Sequence, residues 1–208
     1  MFTGIVQGLA SVSSVLQKSE VISLGISFPV GALMSVQLGA SIAINGCCLT
    51  VVSAEGDEAL FDVVQETAIR TNLGSLQKGE RINFERSLNY GDEVGGHLVS
   101  GHIDTTGRIS RVDLFDLSRD LTITVEPSWT RFIFAKGYVA LNGASLTVVS
   151  VDRKAGQITV SLIPETIKRT TFGGCAVGSL INIEVDRATQ AVVNTVERIL
   201  EDGVTDPK

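Results

Sequence analysis

This 208-residue sequence predicts an all-β protein: tandem duplicated six-stranded β-barrels followed by a C-terminal α-helix. Three observations carry that prediction. The run Asn-Gly-Cys-Cys-Leu-Thr-Val-Val-Ser from Asn45 to Ser53 returns 97 residues later as Asn-Gly-Ala-Ser-Leu-Thr-Val-Val-Ser from Asn142 to Ser150, identical at seven of nine positions. The match runs on in both directions: Gly4 falls on Gly101 and Ser13 on Ser110 at the same offset. After a two-residue indel, Glu66-Thr67 falls on Glu165-Thr166, Arg70-Thr71 on Arg169-Thr170, Ile82-Asn83 on Ile181-Asn182 and Glu85 on Glu184. Each half, finally, is a series of short apolar or alternating segments with no long helix between them, which a closed barrel accommodates without exposed strand edges. A period this long marks duplicated units. They are taken as 1–96, 97–187 and a tail, 188–208.

Taken in order, Met1 to Ser13 reads as an opening strand whose glycines allow tight bends or close approach to a ligand. Ile22, Leu24, Ile26 and Phe28 alternate with polar or small residues, the mark of a half-buried strand, which Pro29 ends. Gly31 to Gln37 suits a short helical turn. Asn45-Gly46 lies between apolar runs and signals a type I′ hairpin across residues 41–52, since both positions tolerate positive φ. Ala59 to Val64 is a further strand, Gln65 to Lys78 a polar connection and Arg81 to Glu85 the last strand of the half. Asn89 to Gly96, with three glycines, is the linker. The second half repeats the order over Ser100 to Arg111, Leu121 to Val125, a short helix at Ser128 to Ala135, Tyr138 to Leu141, Leu146 to Val151, Ile158 to Ile163 and Leu180 to Val185. Beyond it, Ala188, Ala191, Val192, Thr195, Val196, Ile199 and Leu200 form a stripe at helical spacing. That face packs either on its own barrel or on another subunit.

Composition narrows the function. Apolar residues make up 44%, enough for two cores, while a net charge of −6 and a pI near 4.9 argue against nucleic acid. No run approaches the roughly 18 consecutive apolar residues of a spanning helix, and Met-Phe-Thr-Gly lacks a basic and apolar leader, so a soluble cytoplasmic protein is expected. Cys47 and Cys48 are adjacent and Cys175 stands alone, a pattern without a disulfide framework or zinc spacing. His97 and His102 likewise form no recognised metal pattern.

Three segments per half combine a close-approach glycine, a small hydroxyl or thiol, and a carboxylate near a threonine. In the first half these are Gly4-Ile5-Val6, Cys48-Leu49-Thr50 and Asp62 to Thr67. In the second they are Gly101-His102-Ile103, Ser145-Leu146-Thr147 and Ser161 to Thr166. They suit a planar polar ligand bearing hydroxyls. Each has a plainer alternative: Thr50 and Thr147 as ordinary strand residues, Cys48 as a small buried hydrophobe, and Glu66 and Glu165 as surface partners of Arg70 and Arg169. His102 replaces the apolar Ile5 of the first copy and is either a proton-transfer group or a satisfied structural histidine.

Met-Phe-Thr-Gly-Ile-Val, Asn-Gly-Cys-Cys-Leu-Thr-Val, Gly-Gly-His-Leu-Val-Ser-Gly-His at 95–102, Asn142-Gly143 followed by Ser-Leu-Thr-Val, and Ile-Pro-Glu-Thr at 163–166 together resemble the alpha-type riboflavin synthase family, over essentially the whole chain. The resemblance implies a cytoplasmic transferase of the last step of riboflavin biosynthesis. Two molecules of 6,7-dimethyl-8-ribityllumazine exchange a four-carbon unit, giving riboflavin and 5-amino-6-(ribitylamino)uracil, with no metal or organic cofactor. Implied partners are the lumazine, other copies of the chain in a homotrimer assembled by the C-terminal helix, and lumazine synthase.

Carried over by position, one pocket holds Gly4, Ile5, Val6, Cys48, Leu49, Thr50, Asp62, Val63, Val64, Gln65, Glu66 and Thr67. The other holds Gly101, His102, Ile103, Lys136, Ser145, Leu146, Thr147, Ser161, Leu162, Ile163, Pro164, Glu165 and Thr166. Phe2, Ser41 and Asp186 lie close by. His102, Cys48, Ser145 and Thr147 are the catalytic candidates, with His102 a proton relay and Cys48 a donor or nucleophile. The runner-up is a lumazine- or flavin-binding optical protein that does not turn its ligand over; a blander third reading is a flavin-binding structural module.

Overall fold

The computed structural model describes residues 1–202; the last six residues of the tail assigned from sequence lie outside the described residues. Strands β1 (Gly8–Gln17), β2 (Val21–Ser27), β3 (Ser41–Ile44), β4 (Cys47–Glu55), β5 (Glu58–Val64) and β6 (Arg81–Arg86) form one barrel, with helix α1 (Gln65–Arg70) between the last two. The second barrel comprises β7 (Thr105–Leu114), β8 (Arg119–Thr124), β9 (Tyr138–Leu141), β10 (Ala144–Asp152), β11 (Gln157–Leu162) and β12 (Leu180–Val185), with α2 (Pro164–Arg169) in the equivalent place. A final helix, α3 (Arg187–Asp202), follows. Both sheets close antiparallel in the same order, first strand to second, fifth, fourth, third and sixth.

Closure follows from the alternation of side chains. In β4 and β10 every second residue points inward, so Leu49, Val51, Leu146 and Val148 are buried while Thr50 and Thr147 face out. Each barrel has its own apolar core, centred on Leu24, Ile26 and Phe61 in one and on Leu121, Ile123 and Val148 in the other. The two Asn-Gly turns adopt the positive φ pair the sequence requires, 45° and 80° at Asn45-Gly46 and 42° and 81° at Asn142-Gly143.

A pseudo-twofold relation joins the barrels, because residues 97 apart meet each other. Phe2 pairs with Val99 through two backbone hydrogen bonds of 2.8 and 3.0 Å. Gly46 and Gly143 lie face to face so closely that a Cβ on Gly46 would come 2.5 Å from the Gly143 nitrogen. Beneath the turns, Asn83 Nδ2 donates to the Asn142 carbonyl and Asn182 Nδ2 to the Asn45 carbonyl, both at 2.9 Å. Asn72 breaks the symmetry. Its amide bridges Asn142 and Asn182 across the junction, whereas the matching position in the second half is Thr171.

Some expected segments take a different form. The opening strand begins at Gly8, since residues before it leave their own sheet to bond with the opposite half. Gly31 to Gln37 is a series of hydrogen-bonded turns, with Gly31 and Ser35 at positive φ, which no α-helix tolerates. The helix expected at Ser128 to Ala135 is a 3₁₀ turn, Pro127–Phe132. On α3, Val193, off the apolar stripe, packs on the parent barrel, and Arg187 and Glu197 form ion pairs with Asp104 and Arg131. Val192, Val196, Ile199 and Leu200 remain 50–71% exposed.

Candidate active site

The sequence repeat identifies equivalent segments but not which copy each one meets, and the structure pairs them crosswise. The Gly4 carbonyl accepts a 2.8 Å hydrogen bond from the Ser145 N–H, and the Gly101 carbonyl accepts its symmetric counterpart from the Cys48 N–H, also 2.8 Å. Val6 is buried in the core of the second barrel, and Ile103 packs on that of the first. The expected grouping of Gly4-Ile5-Val6 with Cys48-Leu49-Thr50 is therefore corrected. Gly4 to Val6 joins Ser145 to Thr147, and Gly101 to Ile103 joins Cys48 to Thr50.

Glycine is obligatory at both crossings. Gly4 (φ +74°) and Gly101 (φ +82°) have left-handed backbones, and a Cβ on either would stand 2.6 Å from the Cβ of Ser145 or Cys48. A buried carboxylate anchors each crossing to its own barrel. Glu85 accepts from the Thr3 N–H, the Thr3 hydroxyl and the Gly4 N–H at 2.6, 2.7 and 3.1 Å. Glu184 does the same for Ser100 and Gly101 at 2.7, 2.6 and 3.0 Å. Burial raises the Glu85 pKa, and the bonds from Thr3, Gly4 and Ile5 work against that rise. These clamps are functional residues that sequence reasoning left without a role, although the repeat had aligned them.

On the first barrel, Cys48 sits opposite Ala43 and Thr50 opposite Ser41. Thr50 and Asp62, each one residue beyond the Val51–Phe61 pair, are exposed by the alternation of β4 and β5, and with Ser41 they make up the polar row on the outer face. His102 projects from the crossing above it with its side chain exposed. Lys18 Nζ stands 3.6 Å from Asp62 at the rim. Cys47 is no rival to Cys48: it points into the barrel, and burial first, then neighbouring Cys48 and Glu184, push its thiol up to about 12.

On the second barrel the corresponding row is Tyr138, paired with Thr147, and Ser161, one residue beyond the Val148–Val160 pair. Ser145 Oγ lies 2.7 Å from His97 Nδ1, and the His97 ring stacks on Tyr138 with centroids 5.3 Å apart. Burial lowers the His97 pKa against the opposing pull of Asp186, which favours the neutral ring. Asp186 accepts from the N–H and hydroxyl of Thr189, which together with His97 outweighs burial and lowers its own pKa. Lys136 is held at φ +71° where the first half has Gly39, and both residues donate to the same place in the sheet, at 2.8 and 2.9 Å. A lysine kept in a glycine conformation is a local strain of the kind that persists where a side chain is needed.

Not every expected residue reaches the outer face. Leu49, Val63, Leu146 and Leu162 are core residues, and their side chains point away from the polar rows. Glu66 and Glu165 are exposed and pair with Arg70 and Arg169 one helical turn on. His97 and Tyr138 were missed as site residues; His97 shows no repeat partner of its own chemistry, and only the fold brings it to Ser145.

The lumazine binding domain model matches residues 3–87 and again 100–186. A riboflavin synthase from Escherichia coli (strain K12) is 43% identical over 96% of this chain and 93% of its own length. This chain belongs to the riboflavin synthase family. A second member, from Buchnera aphidicola subsp. Schizaphis graminum, is 41% identical over 99% of this chain and 98% of its own. Among solved structures, LumP complexed with 6,7-dimethyl-8-(1′-D-ribityl)lumazine shares the fold, with a TM-score of 0.81 and 25% identity over 90% of this chain and all of that one. The two matches of the domain model fall on the two repeats, so each half of the chain carries one lumazine binding domain. The two half-sites keep a threonine in common, Thr50 and Thr147, and differ around it, with Cys48, Ser41, Asp62 and His102 in one against Ser145, Tyr138, Ser161 and Ile5 in the other.

Proposed function

We propose that this chain is a riboflavin synthase that holds one 6,7-dimethyl-8-ribityllumazine at each half-site and transfers a four-carbon unit between them. Riboflavin and 5-amino-6-(ribitylamino)uracil are the products. The observation that carries this reading is the crosswise construction of two similar but unequal half-sites, which suits a reaction between two copies of one molecule in different roles. Family membership over nearly the whole chain supports it. The working units are 1–96 and 97–187, with 188–208 serving assembly.

The first-barrel half-site is the one that moves protons. His102 and Cys48 share it, and the acidic C7 methyl of a lumazine bound there loses its proton to His102. The resulting carbanion is delocalised into the heterocycle, where Cys48, Thr50 and backbone amides donate to it. The Ser41–Thr50–Asp62 row takes the ribityl hydroxyls. At the second-barrel half-site, Ser145, oriented by neutral His97, and Thr147 hold the other lumazine, and Lys136 supplies the cation. Much of the acceleration comes from keeping both rings in register.

Both rows are open on their outer faces, and the apolar stripe of α3 is uncovered. A homotrimer in which the first-barrel half-site of one copy faces the second-barrel half-site of the next closes both and buries the stripe. The described helices include none long and apolar enough to cross a membrane, consistent with work in the cytoplasm beside lumazine synthase as the source of substrate.

The test is incubation of the protein with the lumazine alone. Riboflavin at half the molar amount of lumazine consumed, without added metal or cofactor, is the expected result. Tight binding of unchanged lumazine would make this chain a lumazine-binding protein without turnover.

A further inference from the structure

Helix α3 has no counterpart in the first half, and its first residue is the most connected side chain around the crossings. The Arg187 guanidinium donates to Asp104 Oδ1 at 2.7 Å, to the His102 carbonyl, to Ser100 Oγ at 3.3 Å and to Gln190 Oε1 at 2.8 Å. It also stands 3.6 Å from Glu184 Oε1. Three of these groups belong to Ser100 to Asp104, the segment that carries Gly101-His102-Ile103 onto the first barrel. The repeat supplies an internal control. The position matching Arg187 is Leu88, and among the described residues no cation pairs with Glu85, the carboxylate matching Glu184. Only the crossing that bears a histidine is gripped in this way.

We propose that Arg187, at the start of helix α3, is a positioning residue that fixes the His102 crossing against Cys48 and so sets the pose of the proton-transfer group. The inference rests on the functional reading above for what His102 does, but not for what Arg187 holds. A guanidinium suits the task because its planar fork can bond several acceptors in fixed directions, which a lysine ammonium at the end of a flexible stem cannot. Holding the His102 carbonyl fixes the backbone torsion that aims the imidazole. Asp104 and Glu184, 8% and 2% exposed, lose compensation of their charge if the arginine goes.

Arg187→Lys keeps the charge and the fold and removes the fork. Arg131→Ala is the control, since it breaks the Arg131–Glu197 pair farther along α3 and leaves the Ser100 to Asp104 segment untouched. Expected for Arg187→Lys is a fall in kcat of about tenfold with KM within about twofold and melting temperature and oligomer mass unchanged, the signature of misplacement rather than lost binding. Iodoacetamide labelling of Cys48, followed by mass spectrometry, is expected to quicken several-fold as the crossing above it loosens. Arg131→Ala is expected to leave both readouts within about twofold of the parent. Turnover and Cys48 labelling unchanged in Arg187→Lys would overturn the proposal, as would equal losses in Arg131→Ala. Should the parent itself make no riboflavin, the functional reading falls, and Cys48 labelling still decides whether Arg187 holds the crossing.

Discussion

Gly4 and Gly101 are fixed by two independent constraints, a left-handed backbone and the absence of room for a Cβ. Gly101→Ala is therefore expected to destabilise the protein by upwards of about 2 kcal/mol, read as a lower urea midpoint, because both the torsion and the contact with Cys48 must be relieved. Lys136 presents the reverse case. Replacing it by the glycine of the other repeat should leave stability within about 1 kcal/mol of the parent, since the φ of +71° suits glycine, while turnover falls at least about tenfold. Equal turnover in Lys136→Gly would leave the strain without a function. His97 gives a pH signature. Its folded pKa lies below its ordinary value of 6.5, so between the two the unfolded chain binds more protons and stability rises with pH across that window. Chemical denaturation of the parent and of His97→Asn at several pH values should show the acid-side slope flattened in the variant.

Helices and hairpins divide the labour between chemistry and assembly. The β3–β4 and β9–β10 hairpins each present one residue to the opposite crossing and the next into their own core, so ligand contact and folding are read from alternate positions of the same strands. Helix α3 meets the second half of the chain through Arg187, Val193 and the Arg131–Glu197 pair, leaving its stripe open. Placing glutamate at Val196 and Ile199 should therefore leave the circular dichroism of the barrels intact. If the proposed trimer is the working state, the same change shifts the mass in solution from trimer to monomer and abolishes riboflavin formation. A variant that stays trimeric would move the assembly surface elsewhere on the molecule.

At the scale of the molecule, the two barrels are bound into one unit by the exchanged crossings and by the asparagine cluster at the dyad. Asn182 alone bonds Asn45, Asn72 and Asn142. Asn182→Ala strands several buried polar groups at once and should cost about 2–4 kcal/mol, with both halves still melting in a single calorimetric transition. Two separate transitions would show that the barrels unfold independently.

The duplication, the succession of short strands along the chain, both Asn-Gly turns and the stripe on the last helix were legible in the chain, because hydrophobic period and turn chemistry are local properties. So were the residue types that make the half-sites unequal, since aligning one repeat on the other exposes Cys48 against Ser145 and His102 against Ile5. What the repeat could not reveal was partnership. Two segments with the same pattern fit either barrel equally well as far as local sequence is concerned, and the choice rests on contacts between residues about 50 or 140 apart. Only the tertiary structure decided that Gly101 lies over Cys48 and Gly4 over Ser145, that His97 reaches Ser145, and that Arg187 clasps the His102 crossing. The physical reason is that a backbone carbonyl meets whichever N–H the packing of the whole molecule brings to it.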